Sequence, residues 1–310
     1  MTAPLSSPGT AGSHPPTPAR RAGGRQGGGF RLIIVLLPLL FLSVFFAAPF
    51  LVVAAISLGD PMLARPPYTP LFGPDGFQGD LENYAFLLTD SLYLSAYLNA
   101  VKIAAVATLL ALLIGYPMAY VIATSPEPRR AVLLMLVVLP FWTSFLLRVY
   151  ALIGLMNTNG LINSVLSTLG VIDAPLVMRQ TVFAVYVGTV YTYLPFMILP
   201  LYAALVRRDE SLAEAAADLG AGAWTVFFTV TLPLSLPGVV AGSMLVFIPV
   251  IGEYVIPALL GGPDSLMIGQ VLWNAFFSAR DWPLAASVAV VMLGVVVLPL
   301  LFLRRVVEAR

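Results

Sequence analysis

The chain has 310 residues, of which 59% are hydrophobic and 10% charged, where a soluble domain carries roughly a quarter charged residues. Such a chain cannot cover itself with a hydrated surface. Sixteen Lys+Arg nearly cancel fifteen Asp+Glu, there is no cysteine, and the one histidine, His14, sits in a polar stretch; this argues against a polybasic nucleic-acid face, a disulfide framework, a thiolate metal site and Ser-His-Asp catalysis.

Residues 1–29 contain five prolines and seven glycines with little to bury, the composition of a disordered tail. The apolar run that follows, Leu32 to Ser57, is longer than the apolar region of a cleavable signal peptide and reads as a retained transmembrane helix. Residues 30–310 then form one membrane domain with spans at 32–57, 94–123, 131–155, 181–206, 236–260 and 284–303, each long enough to cross a hydrocarbon core of about 30 Å. The expected fold class is an all-α polytopic membrane protein with six spans. Before the second span, Asn83 to Asn99 mixes Tyr84, Phe86, Tyr93 and Tyr97 with Asn83 and Asp90, which suits an interfacial helix.

Arginine sets the orientation. Arg20, Arg21, Arg25, Arg31, Arg129, Arg130, Arg207, Arg208, Arg304, Arg305 and Arg310 fall on one side, and only Arg65, Arg179 and Arg280 fall in the opposite loops, beside eight acidic residues. Both termini are therefore expected in the cytoplasm. Pro117, Pro140, Pro195, Pro200, Pro249, Pro257 and Pro299 lie inside spans, where each removes a helix hydrogen bond and bends the axis. So many kinks fit a bundle with a pathway better than a static anchor.

The loop at 207–233, RRDESLAEAAADLGAGAWTVFFTVTLP, is the most informative stretch. Ser211 and Glu214 have capping-box spacing, so a short helix is expected to start at Ser211. Gly220 is placed to end it in the left-handed conformation. A second short helix is expected over about 223–229, with Pro233 opening the fifth span. By residue chemistry alone this is either a capped connector or a docking element.

The spacing Glu214, Ala215, Ala216, three residues, Gly220, nine residues, Val230, one residue, Leu232, Pro233 resembles the EAA loop of ATP-binding-cassette (ABC) importer permeases. The usual isoleucine is replaced by Val230. The segments from Leu139, Val190 and Ser243, with RDWPLA from Arg280, are similar to permeases of the spermidine/putrescine family, closest to the putrescine type. The resemblance implies a type I importer permease whose loop docks on a cytoplasmic ATPase subunit. It implies two ATPase subunits, a second permease and an extracytoplasmic substrate-binding protein as partners, and a multi-pass location in the bacterial inner membrane. No cofactor and no enzymatic activity in this chain are implied. An independent argument agrees: a P-loop needs G-x-x-x-x-G-K-[ST], and the only lysine, Lys102, lies in NAVKIAA, so the motor belongs to another chain.

Lys102, Arg148 and Glu253 are the ionisable residues in or at the edge of spans, where such groups normally face the bundle interior or water. Lys102 can snorkel to the interface. Arg148 can pair with Glu253 or brace the external mouth. Glu253 lies between Pro249 and Pro257 with Gly252 beside it. It is either a carboxylate lining the path of a cationic solute, with Trp142, Tyr150 and Tyr254 as aromatic surfaces, or half of an ion pair with Arg148, Lys102 or the partner subunit. The three aromatics are equally readable as packing or interface residues. A permease of a related importer for another small solute and a self-sufficient secondary transporter are the alternatives.

Overall fold

A computed structural model describes residues 28–74 and 76–308, with side chains at 34–74 and 76–297. All but the last two residues of the 1–29 tail lie outside that range. Two compact units divide between Phe50 and Leu51. The first runs from α1 (Gly28–Leu42) through a π turn at Ser43–Ala47 into the start of α2 (Ala48–Ile56). The apolar stretch Ile34–Ile56, which runs across that boundary, is long enough to cross a bilayer.

The second unit continues from α2 into a loop with a short antiparallel hairpin, β1 (Phe72–Gly73) and β2 (Gly76–Phe77). The Asn83 amide holds the base of this loop, donating to the carbonyls of Ser57 at 3.3 Å and Gly59 at 2.9 Å. Asn83 lies in the first turn of α3 (Glu82–Thr89), which is separate from α4 (Ser91–Thr124). The interfacial helix expected over 83–99 is thus divided. Asp90 between the two is extended, and its side chain accepts from the Leu92 amide at 2.7 Å, so it caps α4 and ends helical continuity.

The core is a three-helix packing of α4, α8 (Val182–Val206) and α11 (Leu232–Ile251). Ala96, Ala100, Ala104, Ala107, Ala111, Gly115 and Ala119 recur every three or four residues along α4 and are buried. They form one small-residue face, which lets helix backbones approach where hydrophobic burial gives no driving force. Met197 of α8 fills the centre, fully buried between Gly115 of α4 and Gly242 of α11. Gly238 of α11 lies against Ala204 and the Pro200 carbonyl of α8.

The stretch expected as the third span is two helices. A 3-10 turn at Leu139–Trp142 follows α5 (Glu127–Val138), and α6 (Phe145–Leu155) leaves at 93° to the helix before it. Pro140 withholds an amide, and both the amide and the hydroxyl of Thr143 turn back to its carbonyl, at 3.2 and 2.8 Å, so the helix cannot propagate. Beyond it, α7 (Leu161–Thr168) carries the buried Asn163. The Asn163 amide donates to the carbonyls of Asn157, Thr158 and Leu176, and its Oδ1 accepts from the Leu176 amide.

After α8 come α9 (Glu210–Asp218) and α10 (Ala223–Val226), then α11, α12 (Val255–Leu260), α13 (Ile268–Trp273) and α14 (Trp282–Glu308). The expected separate helix at 223–229 is instead the start of one helical run, Ala223–Ile251. Pro233 lies inside this run. A π turn at Phe227–Thr231 precedes it, and Pro233 falls in the first turn of α11, where a missing amide is best tolerated. The fifth span expected over 236–260 is likewise interrupted, between Ile251 and Val255.

Among the described residues, four helices are long and apolar enough to cross a membrane: Ile34–Ile56, Ser91–Thr124, Val182–Val206 and Ala223–Ile251. The bent α5–α6 pair passes the same test jointly, and α14 contributes the shorter apolar run Trp282–Val297.

Candidate functional site

The α9–α10 loop is built by its own sequence. Asp209 is the N-cap of α9, its side chain accepting from the Ser211 amide at 3.0 Å. This corrects the expected capping box of Ser211 and Glu214: a carboxylate two residues before Ser211 is an ionised acceptor at the positive end of the helix. Hydrogen bonding by the Ser211 side chain and then its amide holds the Asp209 carboxyl below the usual carboxylate range. Ala215, Ala216 and Ala217 carry the helix cheaply.

Gly220 ends α9 as its spacing suggests, at φ +85°. Its amide bonds the Ala217 carbonyl at 2.8 Å, and the Ala221 amide bonds that of Ala216 at 3.1 Å, the two bonds of a Schellman motif. Glu214, Leu212, Leu219 and Trp224 are exposed, Trp224 at 76%. Val230 and Leu232 lie in the helical run, with Leu232 packed against the core. The product is a capped helix–turn–helix presenting exposed small and apolar residues together with the carboxylates of Glu210, Glu214 and Asp218.

Glu253 occupies the break after α11. Its Oε2 accepts a 2.6 Å hydrogen bond from the Tyr193 hydroxyl of α8, and its Oε1 accepts from the amides of Val255 at 2.9 Å and Ile256 at 3.4 Å. The carboxylate therefore caps α12 and satisfies amides that the broken helix would leave open. Behind the break, Gly269 of α13 lies against the carbonyls of Gly252 and Glu253, where a Cβ would come within 2.6 Å of both oxygens. Tyr193 is the twelfth of the 25 residues of α8, so Glu253 meets that helix near its middle, about 17 Å from one end and about 20 Å from the other.

Sequence-expected residues meet here in part. Arg148 of α6 lies 6.0 Å over the Phe141 ring. Phe141 packs edge-on to Phe196 at 5.0 Å, and Phe196 lies 6.0 Å from Tyr193. An aromatic row thus runs from Arg148 to the hydroxyl that holds Glu253. The expected pairing of Glu253 with Arg148 or Lys102 is not formed: among the described residues the one ion pair is Arg130 with Glu127, at 3.0 Å. Nε and Nη1 of Arg148 are buried with no acceptor among the described residues, and Lys102 is exposed on α4.

The aromatic candidates diverge. Tyr254 stacks on Trp273 at 4.5 Å, with the ring planes 12° apart, while Trp142 and Tyr150 are exposed at 78% and 58%. Tyr193, Phe141, Phe196 and Trp273 were not singled out by the sequence. For Tyr193 the available signal was a polar-tipped aromatic two residues before Pro195 in an otherwise apolar span.

Residues 111–310 match the family described as "Binding-protein-dependent transport system inner membrane component". The "Spermidine/putrescine transport system permease protein PotB" of Salmonella typhimurium is 43% identical over 221 residues, covering 71% of this chain and 77% of that protein. Its Escherichia coli counterpart is 42% identical over 221 residues, 71% of this chain and 80% of that protein. A chain of a bacterial alginate ABC transporter, solved in complex with an alginate pentasaccharide-bound periplasmic protein, superposes with a TM-score of 0.64 at 16% identity, covering 88% of this chain and 92% of that one.

Proposed function

The chain belongs to the binding-protein-dependent transport system inner membrane components, and from that membership we propose that it is a permease subunit of an ABC importer for polyamines. Its expected partners are two ATPase subunits, a second permease and a periplasmic solute-binding protein. The observation that carries the class is the capped α9–Gly220–α10 loop in a chain without a Walker lysine: a docking element and no motor of its own. The solute class rests on the resemblance to spermidine/putrescine permeases over 221 residues.

In this reading the chain crosses the membrane six times, counting the bent α5–α6 pair and α14 with the four long helices, and both termini are cytoplasmic. Glu214, Ala215, Ala216 and Gly220 dock on the ATPase, and Leu232 and Pro233 open α11 after that loop. Glu253 lines the path as a carboxylate for the ammonium groups of the solute. Its position at a helix break near the middle of α8 supports this, since interrupted helices supply solute sites at membrane depth. Arg148, Trp142, Tyr150 and Tyr254 are the remaining path candidates. ATP-driven closure of the motors moves the loop, and solute released by the binding protein passes between the two permeases. No covalent chemistry occurs in this chain.

The test is uptake of labelled putrescine and spermidine into proteoliposomes holding the full complex. Glu253→Gln should depress uptake of both while leaving ATPase subunits bound. Uptake by this chain alone, driven by an ion gradient without ATP, would instead identify a secondary transporter.

A further inference from the structure

The loop between α8 and α11 is tied shut at its base, by Arg208 and by Thr231, a position that the EAA spacing leaves unspecified. Arg208, just after α8, donates from Nη1 to the Thr231 hydroxyl at 3.0 Å, and Thr231 is 3% exposed. Two residues 23 positions apart are thereby joined. The same guanidinium lies over the ring of Tyr120 on α4, with Cζ 5.1 Å from the centroid. One turn earlier on α4, the Tyr116 hydroxyl is 2.8 Å from the Ser235 hydroxyl of α11, both residues buried. The Tyr116 ring also meets Phe227 edge-on at 5.4 Å.

We propose that Arg208 is a positioning residue that clamps the α9–α10 loop to α4, through the Tyr120 ring and the Thr231 hydroxyl, so that a push on α9 moves α4 and α11 together. This rests on the reading of the loop as the ATPase-docking element. Without the clamp, Gly220 and Gly222 would let the loop flex and dissipate the displacement. An arginine suits the task because its planar group stacks on a ring and donates in fixed directions at once. α4 is the element worth driving: its 34 residues span about 51 Å. Towards its other end, the Tyr97 hydroxyl donates to the Val288 carbonyl of α14 at 2.7 Å. Motion received beside the loop therefore reaches α14 along one continuous helix, past Pro117.

The experiment measures solute transported per ATP hydrolysed by the reconstituted complex carrying Tyr120→Phe, Tyr120→Leu or Arg208→Gln. Phenylalanine keeps the ring face that the guanidinium covers, so Tyr120→Phe should retain the wild-type ratio. Tyr120→Leu and Arg208→Gln should lower it about threefold to tenfold. Hydrogen exchange at the amides of 209–222 should quicken in the same two variants, a readout that does not depend on transport. Equal ratios for the Phe and Leu variants, or unchanged exchange in Arg208→Gln, overturn the clamp. Failure of the wild-type chain to recruit ATPase subunits overturns the docking reading itself, and the clamp with it.

Discussion

The Tyr193 hydroxyl donates to Glu253 Oε2 at 2.6 Å across the α8–α11 interface, while the other carboxylate oxygen accepts from the Val255 amide. One acidic group thus joins α8 to the start of α12 where the helix is broken. Hydrogen bonds to a charged group are worth about 1.5 to 3 kcal/mol. Tyr193→Phe should therefore loosen the junction without removing the charge, and Glu253→Gln should remove the charge while keeping an acceptor for the amides. Uptake is expected to fall more for Glu253→Gln than for Tyr193→Phe. Equal loss in both variants would assign Glu253 a purely structural role.

Gly220 adopts φ +85°, and a Cβ there would meet nothing within 4 Å. The cost of Gly220→Ala is then conformational alone, about 1 kcal/mol or somewhat more. Asparagine tolerates the left-handed region better, so Gly220→Asn should retain more coupled transport than Gly220→Ala. The order Asn above Ala, measured as uptake per complex, checks the assignment.

The Asp209 cap gives the loop a pH signature. Its carboxyl titrates lower in the folded protein than its ordinary value because of hydrogen bonding from Ser211. Its contribution to α9 is fully present above the unfolded value, near 3.9, and is lost as the pH falls through the lowered folded value. Hydrogen-exchange protection of the first α9 turn should drop over that acid window in the wild type. In Asp209→Asn, which caps without titrating, that step should disappear.

Close packing of the core makes a stability prediction with an internal control. A Cβ on Gly238 would lie 2.6 Å from the Ala204 Cβ and 2.8 Å from the Pro200 carbonyl, and overpacking of this kind costs about 1 to 3 kcal/mol. Gly154, in α6, has nothing within 4 Å of the same position. Gly238→Ala should lower the thermal midpoint of the detergent-solubilised complex, and Gly154→Ala should not.

Local backbone chemistry was the legible part of this sequence. The glycine that ends α9 could be found because the left-handed turn restricts residue type, and α8 coincides with a mostly apolar run between Thr181 and Arg207. Caps were less legible: Asp209 and Ser211 both suit an N-terminus, and the choice depends on which amide the side chain reaches. The break at Pro140 and the unbroken run through Pro233 show that proline alone does not decide whether a helix stops: Thr143 turns back to the Pro140 carbonyl, whereas Pro233 falls in the first turn of α11. The partner of Glu253 was hidden for another reason. Tyr193 is 60 residues away in sequence, and only the packing of α8 on α11 brings the two together.

The most direct test is ATP-dependent putrescine uptake by proteoliposomes carrying this chain, a second permease, the ATPase subunits and the binding protein, compared with the same complex bearing Glu214→Arg. The wild-type complex should accumulate putrescine only with ATP, and Glu214→Arg should abolish accumulation together with recovery of the ATPase subunits. Undiminished uptake and ATPase recovery in Glu214→Arg would contradict the account.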